Sequence, residues 1–543
     1  MRLKKDSTAQ QLRAAYYTPA RLADAIIGFL ACENMGSVLE PSCGDGVFLK
    51  SLTQQGLAER IVSLTAVEID SAEAEKVRMA YQDNPRFHVC HEDFFKFYDR
   101  MLGKEQYDFI FGNPPYIRYQ YLTEEQREMQ SAILASHGMK ANKRVNTWVA
   151  FLVACVQLLS DAGKIAFVVP AEILQVSYAE DLRLFLSKRL DRITLITFEQ
   201  LVFPDIEQDI IVFIGEKAVE EKGIRIIEAK NLDDFSALDL KRTEFQQIPQ
   251  AKEKWTKYFV TVAEMNLIQR IRTDSRFAKF SEYALSHVGI TTGNNSYFSI
   301  TEDVCKQYEL ENVTLPLIGR GSHAHGITFT EEDWTENKRA GKRARLIAFP
   351  ESIPCRDYPL KHREYIRLGE SNGENAGYKC SIRDRWYVVP SVWVPDAFFL
   401  RRNHFYPKLV LNKCNAVSTD TMHRIRFFVG VEPENVLLSY YNSISFAFTE
   451  LCGRSYGGGV LEILPGEMGT IMLPKVTDID SHFRTDLIKR VDEIVRRDGE
   501  HIELALDIVD RELLVGLLGI DADWCARCRV IWKKMQRRRL GRK

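Results

Sequence analysis

Tyr107-Asp-Phe-Ile-Phe-Gly112 runs directly into Asn113-Pro-Pro-Tyr116, and this junction decides the fold. The apolar run reads as a buried strand. The loop follows at its carboxyl end, where open α/β sheets place their ligands. Pro114 and Pro115 stiffen that loop and carry no N–H, which leaves its carbonyls free to accept from another molecule. Asn113 Oδ1 and the Pro114 carbonyl can together accept both hydrogens of an –NH2 group. The Tyr116 ring would stack on the planar system that bears it. Four residues alone fit a proline-rich turn after a strand equally well, so the flanking sequence has to arbitrate.

Upstream, Ser37-Val-Leu-Glu-Pro-Ser-Cys-Gly-Asp-Gly-Val-Phe-Leu49 reads as strand, glycine turn and helix. Gly44 and Gly46 would let the backbone approach a ligand closely, and Glu40 stands at the strand's end. A second strand, Ile61 to Asp70, ends in Glu68 and Ile69. An acid roughly 20–30 residues past a glycine turn suits the two hydroxyls of a ribose. A third strand, Phe87 to Phe94, ends in Asp93. Asp93 could accept from an adenine amine with Ile69 and Phe94 sandwiching the purine, or it could cap a helix. Downstream, 163–170, 192–198 and 209–215 are near-continuous apolar strands, with a helix expected over 147–159. Seven strands alternating with helices predict a mixed α/β domain whose sheet is covered on both faces.

At 543 residues the chain exceeds one ordinary core. No apolar run approaches the ~18 residues that a membrane helix needs, and the charged N-terminus lacks a signal-type core. Eleven scattered cysteines without framework spacing point to a reducing cytoplasm. Net charge is −1, so any nucleic-acid partner must be argued from local charge.

In these landmarks the chain resembles the gamma class of adenine-N6 DNA methyltransferases, the TaqI-like group of restriction–modification systems. Tyr16-Tyr17-Thr18-Pro19 matches the class's N-terminal cofactor motif, and Glu40-Pro-Ser42-Cys-Gly44-Asp-Gly46 matches its methionine-binding turn. Glu68 falls on the ribose acid, Asp93 with Phe94 on the adenine pair, and Asn113 to Tyr116 on the catalytic loop. Phe203 falls on the aromatic that packs against the extruded target base. The resemblance implies a Rossmann-like, seven-stranded domain binding S-adenosyl-L-methionine (AdoMet). It also implies in-line methyl transfer to a flipped adenine, with no metal and no covalent intermediate. Double-stranded DNA would be the substrate, with cleavage supplied by a separately encoded restriction endonuclease if at all. One catalytic and one specificity domain are compatible with action as a monomer. Alternatives are protein-glutamine or RNA adenine methylation and, from a different class, a catalytically silent DNA-recognition subunit. The roughly three hundred residues after the sheet argue against the first, and the intact loop argues against the last.

Domain limits are expected at 1–250 for the catalytic domain, 251–480 for a mixed α/β target-recognition domain, and 481–543 for a helical segment with a basic tail. Residues 216–255 are charged and mixed, suiting an edge element and a connector, and a helix is expected over 258–271. The phrases Val288 to Asn295, Tyr378 to Tyr387, Val417 to Asp420 and Gly453 to Gly459 resemble the specificity domains of the same group. Between Tyr378 and Phe427 nine Lys or Arg stand against three Asp, interleaved with aromatics. Phosphate contact and base reading need such a surface. Arg383, Arg385, Arg401, Arg402, Lys408, Lys413 and Arg424, with Arg454, are the candidate DNA contacts. Cys525/Cys528 and His323/His325 lack the second ligand pair of a zinc site. Pro354-Cys355 lies far outside the sheet domain.

Overall fold

The computed structural model describes residues 17–32, 34–140, 145–175, 179–199, 202, 210–236, 245–247, 254–477, 479–497 and 501–541. Phe203 and Tyr16 lie outside the described residues. The chain forms two compact units that divide between Thr261 and Val262.

The first unit opens with helix α1 (Ala20–Leu30), then β1 (Gly36–Glu40), α2 (Val47–Gln54), β2 (Ile61–Glu68), α3 (Ser71–Tyr81), β3 (Phe87–His91), α4 (Phe94–Met101) and β4 (Tyr107–Gly112). It continues with α5 (Glu124–Ser136), α6 (Thr147–Leu158), β5 (Leu159–Pro170), α7 (Glu180–Arg189), β6 (Arg192–Phe198), β7 (Ile210–Glu216) and β8 (Gly223–Ala229). These strands make one sheet in the order β3-β2-β1-β4-β5-β7-β6-β8. The seven expected strands are all present. Among the described residues the sheet nonetheless has eight, because β8 adds in parallel beside β6 within the segment read as an edge element. Only β7 runs antiparallel to its neighbours, β5 and β6.

Burial explains why the apolar strands read without alternation. Every residue of β7 is buried, and all but the first of β6. α6 is buried on nearly every side, with Trp148 fully enclosed, so it is a core helix and not a surface one. β1 and β4 pair in parallel at Val38↔Phe109 and Leu39↔Ile110. Asp108 clamps that pair: its carboxylate accepts from Ser37 N at 2.9 Å and, on the other side, from Ser160 Oγ at 2.8 Å. Gly36 makes room for the clamp, since its φ is +57° and a Cβ there would fall 2.1 Å from Asp108 Oδ2.

The second unit is mixed α/β. Its larger sheet runs, in order, through strands 284–288, 422–427, 397–400, 409–412 and 328–329. A smaller one joins 299–300, 345–347, 314–318 and 417–418. The helix expected near 258–271 is a short 3-10 turn at Trp255–Phe259 followed by a helix at Val262–Thr273. Leu487, Val491 and Val495 form the buried stripe of helix Ser481–Arg497.

The basic run at the chain's end is not a loose tail over its described part. It forms the last turns of helix Ala522–Leu540, packed on helix Ser443–Cys452 through Trp532 and Phe446. Arg539 is 1% exposed and pairs with Glu450, 4% exposed, at 2.9 Å. Its guanidinium also donates to the carbonyls of His404, Phe405 and Gly459. Removing one partner of a buried pair strands the other's charge at a cost of about 3–5 kcal/mol. Arg539→Ala should therefore lower the thermal midpoint sharply, with partial recovery when Glu450→Gln is added. A midpoint shift worth under about 1 kcal/mol would show that the pair is not a structural anchor.

Candidate functional site

Strand order 3-2-1-4-5 means that the chain reverses its direction of travel across the sheet between β1 and β4. A crevice forms outside the carboxyl ends of strands at such a point. A cavity of about 540 Å³ lies there, within the range usual for small-molecule sites. The glycine turn after β1 forms one wall. Gly44 N donates to Glu68 Oε2 and Asp70 N donates to Glu68 Oε1, both at 2.8 Å, so β2's terminal acid is clasped on both oxygens. Gly44 has φ +52°, and a Cβ there would sit 3.5 Å from the Tyr17 ring that packs over it.

The loop after β4 forms the facing wall. Asn113 to Tyr116 all line the cavity. Ser42 Oγ donates to the Asn113 carbonyl at 3.3 Å, which ties the two walls together. Tyr116 is buried and donates its hydroxyl to the Val168 carbonyl of β5 at 3.0 Å, so its ring is tethered from behind. Thr147, at the start of α6, donates to the Ile117 carbonyl from both N and Oγ1, at 3.1 and 3.0 Å. The loop is therefore preorganised by three separate elements.

Beyond Glu68, Ile69 is 58% exposed at the cavity's edge. Asp93 caps α4 by accepting from Phe95 N at 2.8 Å, and its second oxygen accepts from Gln126 Nε2 at 2.9 Å. Its capping role, one of the two sequence readings, is thus present, and any further acceptance is shared with Gln126. Phe94 is stacked on Phe151 with centroids 4.5 Å apart.

Not every expected cofactor residue reaches the cavity. Tyr17, Ser42, Gly44, Glu68, Ile69, Asp93, Phe94 and Asn113 line it; Thr18, Pro19, Glu40 and Gly46 stand behind the wall. Pro19 instead caps α1, and Gly46 caps α2 in a left-handed conformation. Gln126, Gln130 and Tyr121 line it without having been singled out. The capping box of Thr123 and Gln126 marks the start of α5 in sequence. Which of its side chains turn inward depends on how α5 packs, and that is not written locally.

The electrostatics are one-sided. Glu68, Asp70, Glu73, Glu92 and Asp93 line the cavity and, among the described residues, no Lys, Arg or His does. Just behind them Glu40 is 1% exposed, and its Oε2 has no hydrogen-bond partner among the described residues. Burial, then the charges of Asp45 and Glu68, push its carboxyl well above the usual range. Among the described residues no group of three or more His, Cys, Asp or Glu is arranged to hold a metal ion.

The eight basic residues singled out in the second unit do not form one face. Arg424 is 5% exposed, donates to the Val288 and Ser391 carbonyls, and lies over the Trp393 ring at 4.4 Å. Lys408 donates to the Ala324 and His325 carbonyls, and burial lowers it to about 8. Arg454 pairs with Glu467 at 2.7 Å and Arg401 with Glu462 at 2.9 Å. Arg383 and Arg385 are spent on backbone carbonyls and Lys413 on Glu434. Arg402 extends into solvent, 3.7 Å from Glu462. Lys408, Arg424 and Arg454 are thus held by carbonyls, a ring or a carboxylate of their own unit and do not extend into solvent as Arg402 does. Local charge counts do not distinguish a cation that serves the core from one that faces solvent.

Glu40 yields a pH test. A carboxyl whose pKa is raised on folding leaves stability intact below the unfolded value, near 4.5, and erodes it as pH climbs toward the folded value. Glu40→Gln removes that erosion. The variant's thermal midpoint should gain on the wild type progressively as pH rises above about 4.5. A difference independent of pH would rule out a protonated Glu40.

Comparison with known proteins follows the same two-part division. Residues 54–203 match the Eco57I restriction-modification methylase model, and residues 252–514 match the C-terminal domain of the Type II methyltransferase M.Eco57I. The Type II methyltransferase M.AccI of Acinetobacter calcoaceticus is 24% identical over 516 residues, covering 91% of this chain and 90% of that protein. M.XamI of Xanthomonas campestris pv. amaranthicola is 23% identical over 497 residues, 86% of each. Among solved structures, the Type IIL restriction-modification enzyme MmeI in complex with DNA superposes with a TM-score of 0.59. It covers 96% of this chain and 75% of that one at 11% identity, a likeness of fold. Both halves match one enzyme group in chain order, and relatives match nearly end to end: the chain belongs to the Eco57I family of Type II restriction–modification methyltransferases.

Proposed function

We propose that the chain is a site-specific DNA methyltransferase that moves a methyl group from AdoMet to the exocyclic N6 amine of a flipped adenine. The single observation that carries this reading is the cavity at the β1/β4 reversal, lined by five carboxylates and closed on one side by Asn113 to Tyr116. AdoMet fits the residues present: it is cationic at its ammonium and sulfonium, and it carries a ribose diol and a purine. A cavity lined by carboxylates and, among the described residues, by no cation suits such a ligand. When bound, AdoMet would supply an activated methyl group. Glu68 would take the ribose hydroxyls, Tyr17 and Gly44 the methionine end, and Ile69, Phe94 and Asp93 the adenine.

The chain's own residues would do the rest. Asn113 Oδ1 and the Pro114 carbonyl would accept the two amine hydrogens of the target base. That draws the nitrogen toward tetrahedral geometry and exposes its lone pair. Tyr116 would hold the ring, with Phe203 as the expected second aromatic. Preorganisation is the chief source of rate here, because the acceptors need not reorganise as charge develops. The second unit would bind duplex DNA and read its sequence. The protein would act as a monomer beside a separately encoded endonuclease. Residence in a reducing cytoplasm is supported by eleven free cysteines. Among the described residues no helix is long and apolar enough to cross a membrane.

Wild type and Asn113→Ala, each expressed in a host lacking adenine methylases, provide the test. Modification-sensitive sequencing of genomic DNA should show N6-methyladenine at one defined motif with the wild type. Asn113→Ala should lower the transfer rate at least ~100-fold, the scale for removing one preorganised transition-state contact. Unmodified DNA in the presence of soluble wild type would overturn the reading in favour of a protein or RNA substrate.

A further inference from the structure

A second cavity, of about 510 Å³, lies wholly within the second unit. None of the eight basic residues singled out from the sequence lines it. Four chain segments meet there: Asn295–Ser299, Gly319–His323, Lys342–Arg343 and Thr419–Thr421. Strands 314–318 and 417–418 run parallel, with Leu317↔Val417 and Ile318↔Ser418 as partners. Gly319–Arg320 and Thr419 therefore leave from adjacent carboxyl ends. Segment 288–295 is drawn close beside them, since Ile290 bridges to Thr419 and a Cβ on Gly289 would fall 1.9 Å from the Thr419 carbonyl oxygen. Two phrases far apart in sequence, 288–295 and 417–420, thus contribute to one site.

Its charge is unbalanced. Arg320, Lys342 and Arg343 line the cavity, and among the described residues no carboxylate does. Arg320 is exposed and has no ion pair among the described residues. Lys342 donates to the amide oxygen of Asn337 at 2.7 Å, and Arg343 to the Ser296 carbonyl at 3.0 Å, both neutral acceptors. The nearest acid in sequence, Asp420, accepts from Asn295 at 3.2 Å. Elsewhere in the same unit Arg345, Arg401, Arg454 and Arg496 all have carboxylate partners. Three uncompensated cations facing one concavity repel each other, and a polyanion relieves that. His323 reports the same field. Burial first, then Lys342 and Arg320, lower it to about 4, so the ring is neutral and its Nδ1 accepts from Gly319 N at 3.3 Å.

Neutral donors complete the lining. Ser296, Ser299, Ser322, Thr419 and Thr421 contribute hydroxyls. Arginine with serine and threonine hydroxyls is the usual donor set for the oxygens of a nucleic-acid backbone. Arg320, Arg343, Ser296 and Ser322 are exposed, so the cavity is open to a ligand larger than itself.

We propose that this cavity is a phosphodiester-binding site for duplex DNA, with Arg320 and Arg343 as its principal contacts. The inference rests on the DNA-methyltransferase reading above. It adds a contact region to that reading and assigns it to backbone phosphate, not to base edges.

The double variant Arg320→Ala/Arg343→Ala tests it, with the full-length chain and fluorescent duplexes that contain or lack the methylated motif. Anisotropy titrations across a range of salt give affinity and the slope of log K against log[salt]. Both duplexes should bind about tenfold or more weakly, and the slope should fall by about two, one for each phosphate that is no longer neutralised. AdoMet affinity and thermal midpoint should match the wild type, and Arg320→Lys/Arg343→Lys should restore most of the slope. Unchanged affinity and slope in a protein that methylates DNA would overturn the site and leave the proposed function standing. Weakening confined to the motif-bearing duplex, with the slope unchanged, would overturn the phosphate assignment. A weakened affinity that tracks a lowered thermal midpoint and resists the lysine rescue would overturn it as a fold effect. Wild type with no affinity for either duplex would overturn both the site and the function.

Discussion

The parallel pairing of β1 with β4 is the constraint on which the candidate catalytic site depends. These strands are separated in sequence by two further strands and three helices, yet Leu39 and Ile110 are register partners. Their carboxyl ends therefore emerge together, bringing the glycine turn and the Asn-Pro-Pro-Tyr loop to opposite sides of one crevice. Asp108 secures the pairing with bonds to Ser37 on one side and Ser160 on the other. Ser42 then joins the loops at their base through the Asn113 carbonyl. A slip of one residue would turn every side chain of the strand to the opposite face and separate these groups.

Electrostatics divide the two units more sharply than net charge indicates. Among the described residues, the first unit's cavity is lined by carboxylates without a compensating cation, and the second unit's by cations without a carboxylate. Each arrangement carries self-repulsion that a ligand of opposite sign relieves. The chain as a whole is close to neutral, at −1. The imbalance is thus local, built where ligands would bind, while the remaining charges largely satisfy one another. The Arg539–Glu450 pair and the Arg496–Asp333 pair show that internal use.

The first unit's strands and cavity-lining loops were largely legible because their signals are local. A buried parallel strand announces itself by an apolar run, and the loop that follows it is where such sheets place ligands, so Asn113 to Tyr116, Gly44 and Glu68, which line one cavity, could be picked out by order and spacing. The recognition half was not legible in the same way. Arg424, within strand 422–427, and Arg320, just past strand 314–318, are both arginines, yet one lies over Trp393 and bonds backbone carbonyls while the other faces solvent. Side-chain type states what a residue can do, and burial decides which of those things it does.

Sequence by itself determined the alternation of strands and helices, the position of the glycine turn and of the Asn-Pro-Pro-Tyr loop, and membership of a methyltransferase group. Each of these is carried by contiguous residues and by their order. Only the tertiary structure decided which residues line the cavity, bringing in Gln126 and leaving Glu40 buried behind its wall. It also drew 288–295, 319–323 and 417–421 into one basic concavity and turned the terminal basic run into a packed helix. The physical reason is common to all three. Neighbourhood in a folded chain is set by strand pairing and helix packing between distant segments, and no local pattern of residues encodes which distant carbonyl, carboxylate or ring a side chain will meet.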